Sequence, residues 1–199
     1  MAILVHRYES PDRFVAGTVG QPGERTFFLQ AREGNRITSV VVEKQQVSVL
    51  AEHLDRVLNE VLRRSGAVTD VPPPQKTPDD TGPLDAPITE EFRVGTMTIA
   101  WDPSISKIVI ELFSNVDDDD SEVDSELPAA GTAAPEGSEE VDADEVFVVK
   151  ITASYARNFV ARAQALIAAG RPPCPFCLQP LDPDGHVCPR ANGYRRPLF

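Results

Sequence analysis

Residues 25–64 read RTFFLQAREGNRITSVVVEKQQVSVLAEHLDRVLNEVLRR, and their periodicity changes once along the way. Up to Glu43 the stretch is rich in β-branched and aromatic residues. Phe27, Phe28 and Leu29 lie before the Gly34-Asn35 turn, and Val40, Val41 and Val42 lie after it. This pattern predicts a hairpin of two strands over 25–32 and 36–43. From Gln45 to Arg64 the apolar residues Leu50, Leu54, Val57, Leu58, Val61 and Leu62 recur at three-and-four spacing, with Glu52, Asp55, Arg56, Glu60 and Arg63 on the other face. A period near 3.6 predicts an amphipathic helix, stopped by Gly66. Strands followed by a helix with one apolar stripe imply a sheet face that the helix covers.

The same alternation continues outward. Ile3–Tyr8 and Arg13–Val19 read as strands around Ser10-Pro11-Asp12, which is turn chemistry. Gly17, Gly20 and Gly23 fit no phosphate-binding loop and read as turn glycines. Downstream, 71–87 holds six prolines and reads as an irregular connector. Strands follow over 91–101, 107–113 and 146–151. A second helix covers 154–169, with Tyr155, Phe159, Ala163, Leu166 and Ile167 inward. The expected fold is α+β: a mostly antiparallel sheet of about seven strands covered by two amphipathic helices. Residues 1–169 are expected to form one domain, since each half is small for independent stability. Residues 170–199 form a separate tail.

The formal net charge of −12 belongs to one segment. Residues 117–145 carry 13 acidic side chains and no basic one, and the rest of the chain carries 19 basic against 18 acidic. With few large apolar groups, that stretch cannot offset its ordering entropy and is expected to be a disordered loop. Asp117–Asp120 lack the ligand spacing and turn glycine of a calcium loop. No apolar run approaches the roughly 18 residues of a membrane span, and no signal peptide is read at the start, so the expectation is a cytoplasmic protein with no membrane partner.

Chemistry concentrates in the tail. Cys174-Pro175-Phe176-Cys177 has the two-residue gap that lets two sulfurs reach one ion. His186-Val187-Cys188 follows nine residues after Cys177. Cys174, Cys177, His186 and Cys188 therefore read as a structural Zn²⁺ site, a zinc-binding knuckle with four protein ligands and no open position for catalysis. A proline-rich tail with few apolar groups cannot build a core, and a metal can replace one. A redox dithiol is expected at a strand-to-helix junction, whereas this pair follows a helix. Haem attachment needs histidine directly after the second cysteine, where Leu178 stands. Reduced, unligated thiols are the remaining reading.

Other candidates are weaker. His6 in a strand and His53 on the first helix have no evident catalytic partner and read as structural or solvent-facing. Arg190, Tyr194, Arg195 and Arg196 put three guanidinium groups and an aromatic ring beside the knuckle, a small patch of the kind that contacts phosphates or bases.

Phe27-Phe28-Leu29-Gln30-Ala31-Arg32, together with Arg171-Pro172-Pro173-Cys174-Pro175-Phe176-Cys177 and His186-Val187-Cys188-Pro189-Arg190-Ala191-Asn192-Gly193, resembles an uncharacterised actinobacterial family, a domain of unknown function. The resemblance spans nearly the whole chain, with the acidic stretch as a variable insertion. It implies no activity and carries over no catalytic residue. It does imply a setting beside a histidine-phosphatase-like and a lipid-kinase-like protein. Two roles are expected from these readings: a non-enzymatic, zinc-stabilised protein that docks on a protein partner, or a nucleic-acid-binding module using the basic tail. An enzyme ranks third, because no catalytic constellation is visible.

Overall fold

The computed structural model describes residues 3–21, 23–65, 71–115, 143–170, 174–179 and 187–190. Seven strands and two helices lie among them: β1 (Leu4–Tyr8), β2 (Arg13–Val19), β3 (Thr26–Glu33), β4 (Arg36–Val42), α1 (Lys44–Ser65), β5 (Glu90–Asp102), β6 (Lys107–Ser114), β7 (Glu145–Thr152) and α2 (Ala153–Ala168). Every boundary falls within one residue of the expectation. Of the acidic stretch, 117–142 lies outside the described residues, and Glu145 already opens β7.

The fold is α+β, but the sheet is mixed, which corrects the expected mostly antiparallel arrangement. Its order is β1-β7-β6-β5-β4-β3-β2. β1 pairs with β7 in parallel and β4 with β5 in parallel, while β2–β3, β3–β4, β5–β6 and β6–β7 are antiparallel. Side-chain periodicity identifies strands without naming their neighbours. Tight turns force antiparallel pairs, whereas the long excursion through α1 and the connector leaves room for a parallel return from β4 to β5.

The sheet is also strongly curled. β1 and β2 are its outermost members, yet only residues 9–12 separate them in sequence. In a flat sheet six strand spacings would put them roughly 29 Å apart, whereas the five steps from Tyr8 to Arg13 reach at most about 18 Å. The ends must therefore bend toward each other. Contacts across the gap agree: Tyr8 Oη donates to Thr38 Oγ1 of β4 at 2.8 Å, and Arg36 donates to the Arg7 carbonyl.

Inside the curl, Phe14, Leu29, Val40, Ile108, Ile110, Leu112, Phe147 and Val149 meet Leu50, Leu54 and Leu58 of α1 and Phe159 of α2. Phe14 stacks on Phe159 at 4.9 Å between ring centroids. Helix starts are capped as their sequences allow. Gln46 Oε1 accepts from the Glu43 amide at 2.8 Å, and Thr152 accepts from the Tyr155 amide at 3.3 Å. Two buried residues of α2 were not expected inward: Arg157 is 1% exposed and Arg162 is 9% exposed.

Those arginines explain the proline-rich stretch. Residues 71–89 form neither helix nor strand, yet they are fastened along their length. Arg157 Nε donates to the Pro72 carbonyl at 3.0 Å. Arg162 donates to the Asp80 and Gly82 carbonyls at 2.7 and 2.6 Å, and to the Asp80 carboxylate at 3.0 Å. Arg13 reaches the same carboxylate at 2.6 Å. Farther on, the Gln30 side chain exchanges two bonds with the Asp85 backbone, at 2.9 and 2.7 Å. The stretch is a belt rather than a loose linker. It also corrects the reading of Gly17, which lies inside β2 rather than in a turn: a Cβ there would sit 2.5 Å from Leu84 Cδ2. Gly20 and Gly23 do take positive φ, at 101° and 111°.

The Asp80 clasp carries a pH signature. The Arg13 guanidinium, helped by the Gly82 amide and Arg162, holds the Asp80 carboxyl below its ordinary value despite some desolvation. A lowered carboxyl contributes stability above its unfolded pKa of about 3.9 and loses that contribution as pH falls through the folded value. Asp80 is about one-third exposed, so solvent screening keeps the effect modest. Asp80→Asn is therefore expected to lower the melting temperature at pH 7, with the two melting curves converging below about pH 4. Thermal melts from pH 7 to pH 2 check this, and a gap that stays constant across the range would refute it.

Candidate metal centre

Cys174 to Gln179 form one compact turn. The Leu178 amide donates to the Cys174 carbonyl at 2.9 Å, and the Cys174 amide donates to the Gln179 carbonyl at 2.8 Å. Leu178 adopts φ 63°, the left-handed region that glycine usually fills. A leucine there stores roughly 1–2 kcal/mol of strain. The bend directs backbone amides at sulfur: Phe176 N lies 3.4 Å from Cys174 Sγ, and the Gln179 amide donates to Cys177.

Cys188 completes the cluster from the second arm. Its sulfur lies 3.8 Å from that of Cys174, and all three sulfurs lie within 4.8 Å of one another. A tetrahedral site with metal–sulfur bonds of about 2.3 Å has an edge of about 3.8 Å, so the closest pair already has metal-site spacing. The same distance is far beyond the roughly 2.05 Å of a disulfide, and all three cysteines are free. Cys174 and Cys188 are buried while Phe176, Leu178 and Val187 are 60%, 73% and 79% exposed. Arg190 Nη1 donates to the Phe176 carbonyl at 3.1 Å and ties the two arms together.

The electrostatics suit an electron-pair donor set. Burial opposes ionisation of Cys174, but the Cys177 and Phe176 amides and the neighbouring thiols prevail and hold its pKa below that of an ordinary thiol. At Cys177 the Gln179 amide favours the thiolate. Burial and the sulfurs of Cys174 and Cys188 outweigh it and push that thiol up. Three sulfurs drawn this close together form a soft donor set that suits a metal ion.

Of the four residues expected to bind zinc, the structure brings together Cys174, Cys177 and Cys188, while His186 lies outside the described residues. Of the basic patch, only Arg190 is described. Its guanidinium is bonded within the knuckle, and Tyr194, Arg195 and Arg196 lie outside the described residues.

His6 has a partner that the sequence could not show: its Nε2 lies 2.9 Å from Glu145 Oε2, across 139 residues of chain. The pair sits beside a cavity of about 370 Å³ lined by Glu90, Phe92, Arg93, Ser114, Asn115, Asp144 and Glu145. Only the parallel β1–β7 pairing brings these two side chains together. His53 is exposed on α1, as expected. No helix among the described residues is long and apolar enough to cross a membrane.

A family model described as "Protein of unknown function (DUF3090)" matches residues 6–188, a span that takes in the whole sheet except the first residues of β1, both helices and all three cysteines. No curated protein and no solved structure matches the chain.

Proposed function

Because the chain belongs to the DUF3090 family, a family of unknown function, we propose its role from the cysteine site itself: a non-enzymatic interaction protein whose C-terminal arm is held in shape by a structural zinc ion. Cys174, Cys177 and Cys188 supply three ligands, and His186 supplies the fourth from the residue pair preceding Cys188. The convergence of three sulfurs within 4.8 Å carries this reading. A four-ligand set leaves no open position for substrate, so the ion organises backbone instead of activating water. What it organises is a pair of arms that present Phe176, Leu178 and Val187 to solvent, a surface suited to an apolar patch on a protein partner.

The test is metal content. Protein purified without chelator is expected to hold about one zinc per chain by plasma mass spectrometry, with its thiols protected from a disulfide reagent until chelator is added. Metal-free protein with three freely titratable thiols would defeat the reading.

A further inference from the structure

The two outer edges of the sheet are finished differently. On β2 two outward backbone groups are taken up by α2. Tyr155 Oη accepts from the Phe14 amide at 2.8 Å, and Arg162 Nε donates to the Ala16 carbonyl at 2.8 Å. The belt residue Leu84 then lies over Gly17. That edge is closed to further pairing.

β1 is finished at one end only. Alternate residues of a strand turn their N–H and C=O to opposite edges. The Leu4 amide donates to the Asp144 carbonyl at 2.9 Å, so Leu4, His6 and Tyr8 serve β7, whereas Ile3, Val5 and Arg7 face the other way. The Arg7 carbonyl accepts from Arg36. At Val5 no strand among the described residues pairs with that edge. The open stretch is also apolar, with Ile3, Leu4 and Val5 51%, 56% and 44% exposed.

We propose that this edge pairs antiparallel with the same edge of a second copy of the chain, about a twofold axis through Val5. The register is self-complementary. Val5 meets the partner's Val5 as a hydrogen-bonded pair, so both of its free backbone groups are used by the same residue of the other chain. Leu4 then faces the partner's His6 and Ile3 faces the partner's Arg7. Apolar side chains oppose each other at the centre, and Arg7 never stands opposite the partner's Arg7, so no like charges are paired. Since about five residues pair on each side, the contact buries less than a standard interface, and the dimer is reversible.

Sedimentation equilibrium of the full chain is expected to show the average mass rising from one chain toward two as concentration increases from roughly 10 to roughly 500 µM. Val5→Lys and Val5→Glu each place like charges face to face on the axis and are expected to weaken association roughly tenfold or more. Val5 is exposed, so neither substitution disturbs the core. Mixing the two variants places lysine opposite glutamate and is expected to restore association as a heterodimer. Wild-type protein that stays monomeric throughout would overturn the proposal. So would variants that dimerise like wild type, or a mixture that fails to associate.

Discussion

Replacing Asp55 with alanine is expected to lower stability by about 3–5 kcal/mol, more than replacing its partner Arg157 with methionine. The asymmetry follows from burial. Arg157 is 1% exposed at the α1–α2 interface, where it bonds the Asp55 carboxylate, Asn59 Oδ1 at 2.7 Å and the Pro72 carbonyl at 3.0 Å. Asp55 is 35% exposed at its own end of the pair. Taking away the carboxylate leaves the buried guanidinium its two neutral acceptors but no counter-charge. Taking away the guanidinium leaves a carboxylate that rehydrates, while methionine fills most of the vacated volume. Against a total of about 5–15 kcal/mol, Asp55→Ala should bring the melting temperature down by roughly 10–15 °C. Asp55→Leu combined with Arg157→Met is expected to recover most of the loss, since a buried pair replaced by apolar groups is often near neutral. Urea titrations of the three variants decide the matter. A loss under about 1 kcal/mol for Asp55→Ala, or a larger loss for Arg157→Met, would show that the charge at this interface is not what holds the helices together.

This interface also marks where the amino-acid sequence stops being readable. The seven strands and two helices are legible because each writes its own period: alternation in β6, three-and-four spacing in α1. Asp55 lies half-exposed on the polar face of α1, as its spacing predicts, whereas nothing in the spacing of α2 announces that Arg157 and Arg162 are buried. The two arginines escape the sequence for one reason. Periodicity records which residues are apolar, and a buried arginine satisfied by carbonyls and a carboxylate from a distant segment leaves no periodic trace. The belt is illegible for the same reason. Six prolines announce only that no regular element forms, while the residues that fasten the belt lie on β2, β3 and α2. Strand neighbours are a third blind spot. The β1–β7 pairing, and with it the contact of His6 with Glu145, joins residues 139 positions apart.

The convergence of the three cysteines was legible because its information is local. A two-residue gap between Cys174 and Cys177 fixes how close their sulfurs come, whatever the rest of the chain does. Its distance from Cys188 is a matter of a short loop, and the 3.8 Å approach of Cys174 to Cys188 agrees with that reading. The spacing could not reveal that Leu178 occupies a left-handed position, because the usual signal there is a glycine. Nor could it reveal that Arg190 donates to the Phe176 carbonyl.

If those sulfurs hold an ion, Cys188→Ala is expected to abolish most of the metal binding. Structural zinc sites contribute about 10–16 kcal/mol of apparent binding free energy, so losing one of four ligands should weaken binding on the order of a thousandfold or more. The bound metal is expected to fall from about one equivalent to near none after dialysis against a mild chelator. The structural consequence should be local. The buried groups of the α1–α2–sheet core are made by residues outside the turn, so its melting temperature is expected to shift by no more than a few degrees. Amide exchange over Cys174–Gln179 should rise sharply, because the Cys174 and Leu178 amides are bonded within a turn that has no apolar core of its own. Exchange measured by mass spectrometry beside metal analysis separates the possibilities. Full zinc occupancy in Cys188→Ala would remove this sulfur from the site, and global unfolding would make the ion a support of the whole fold rather than of its final arm.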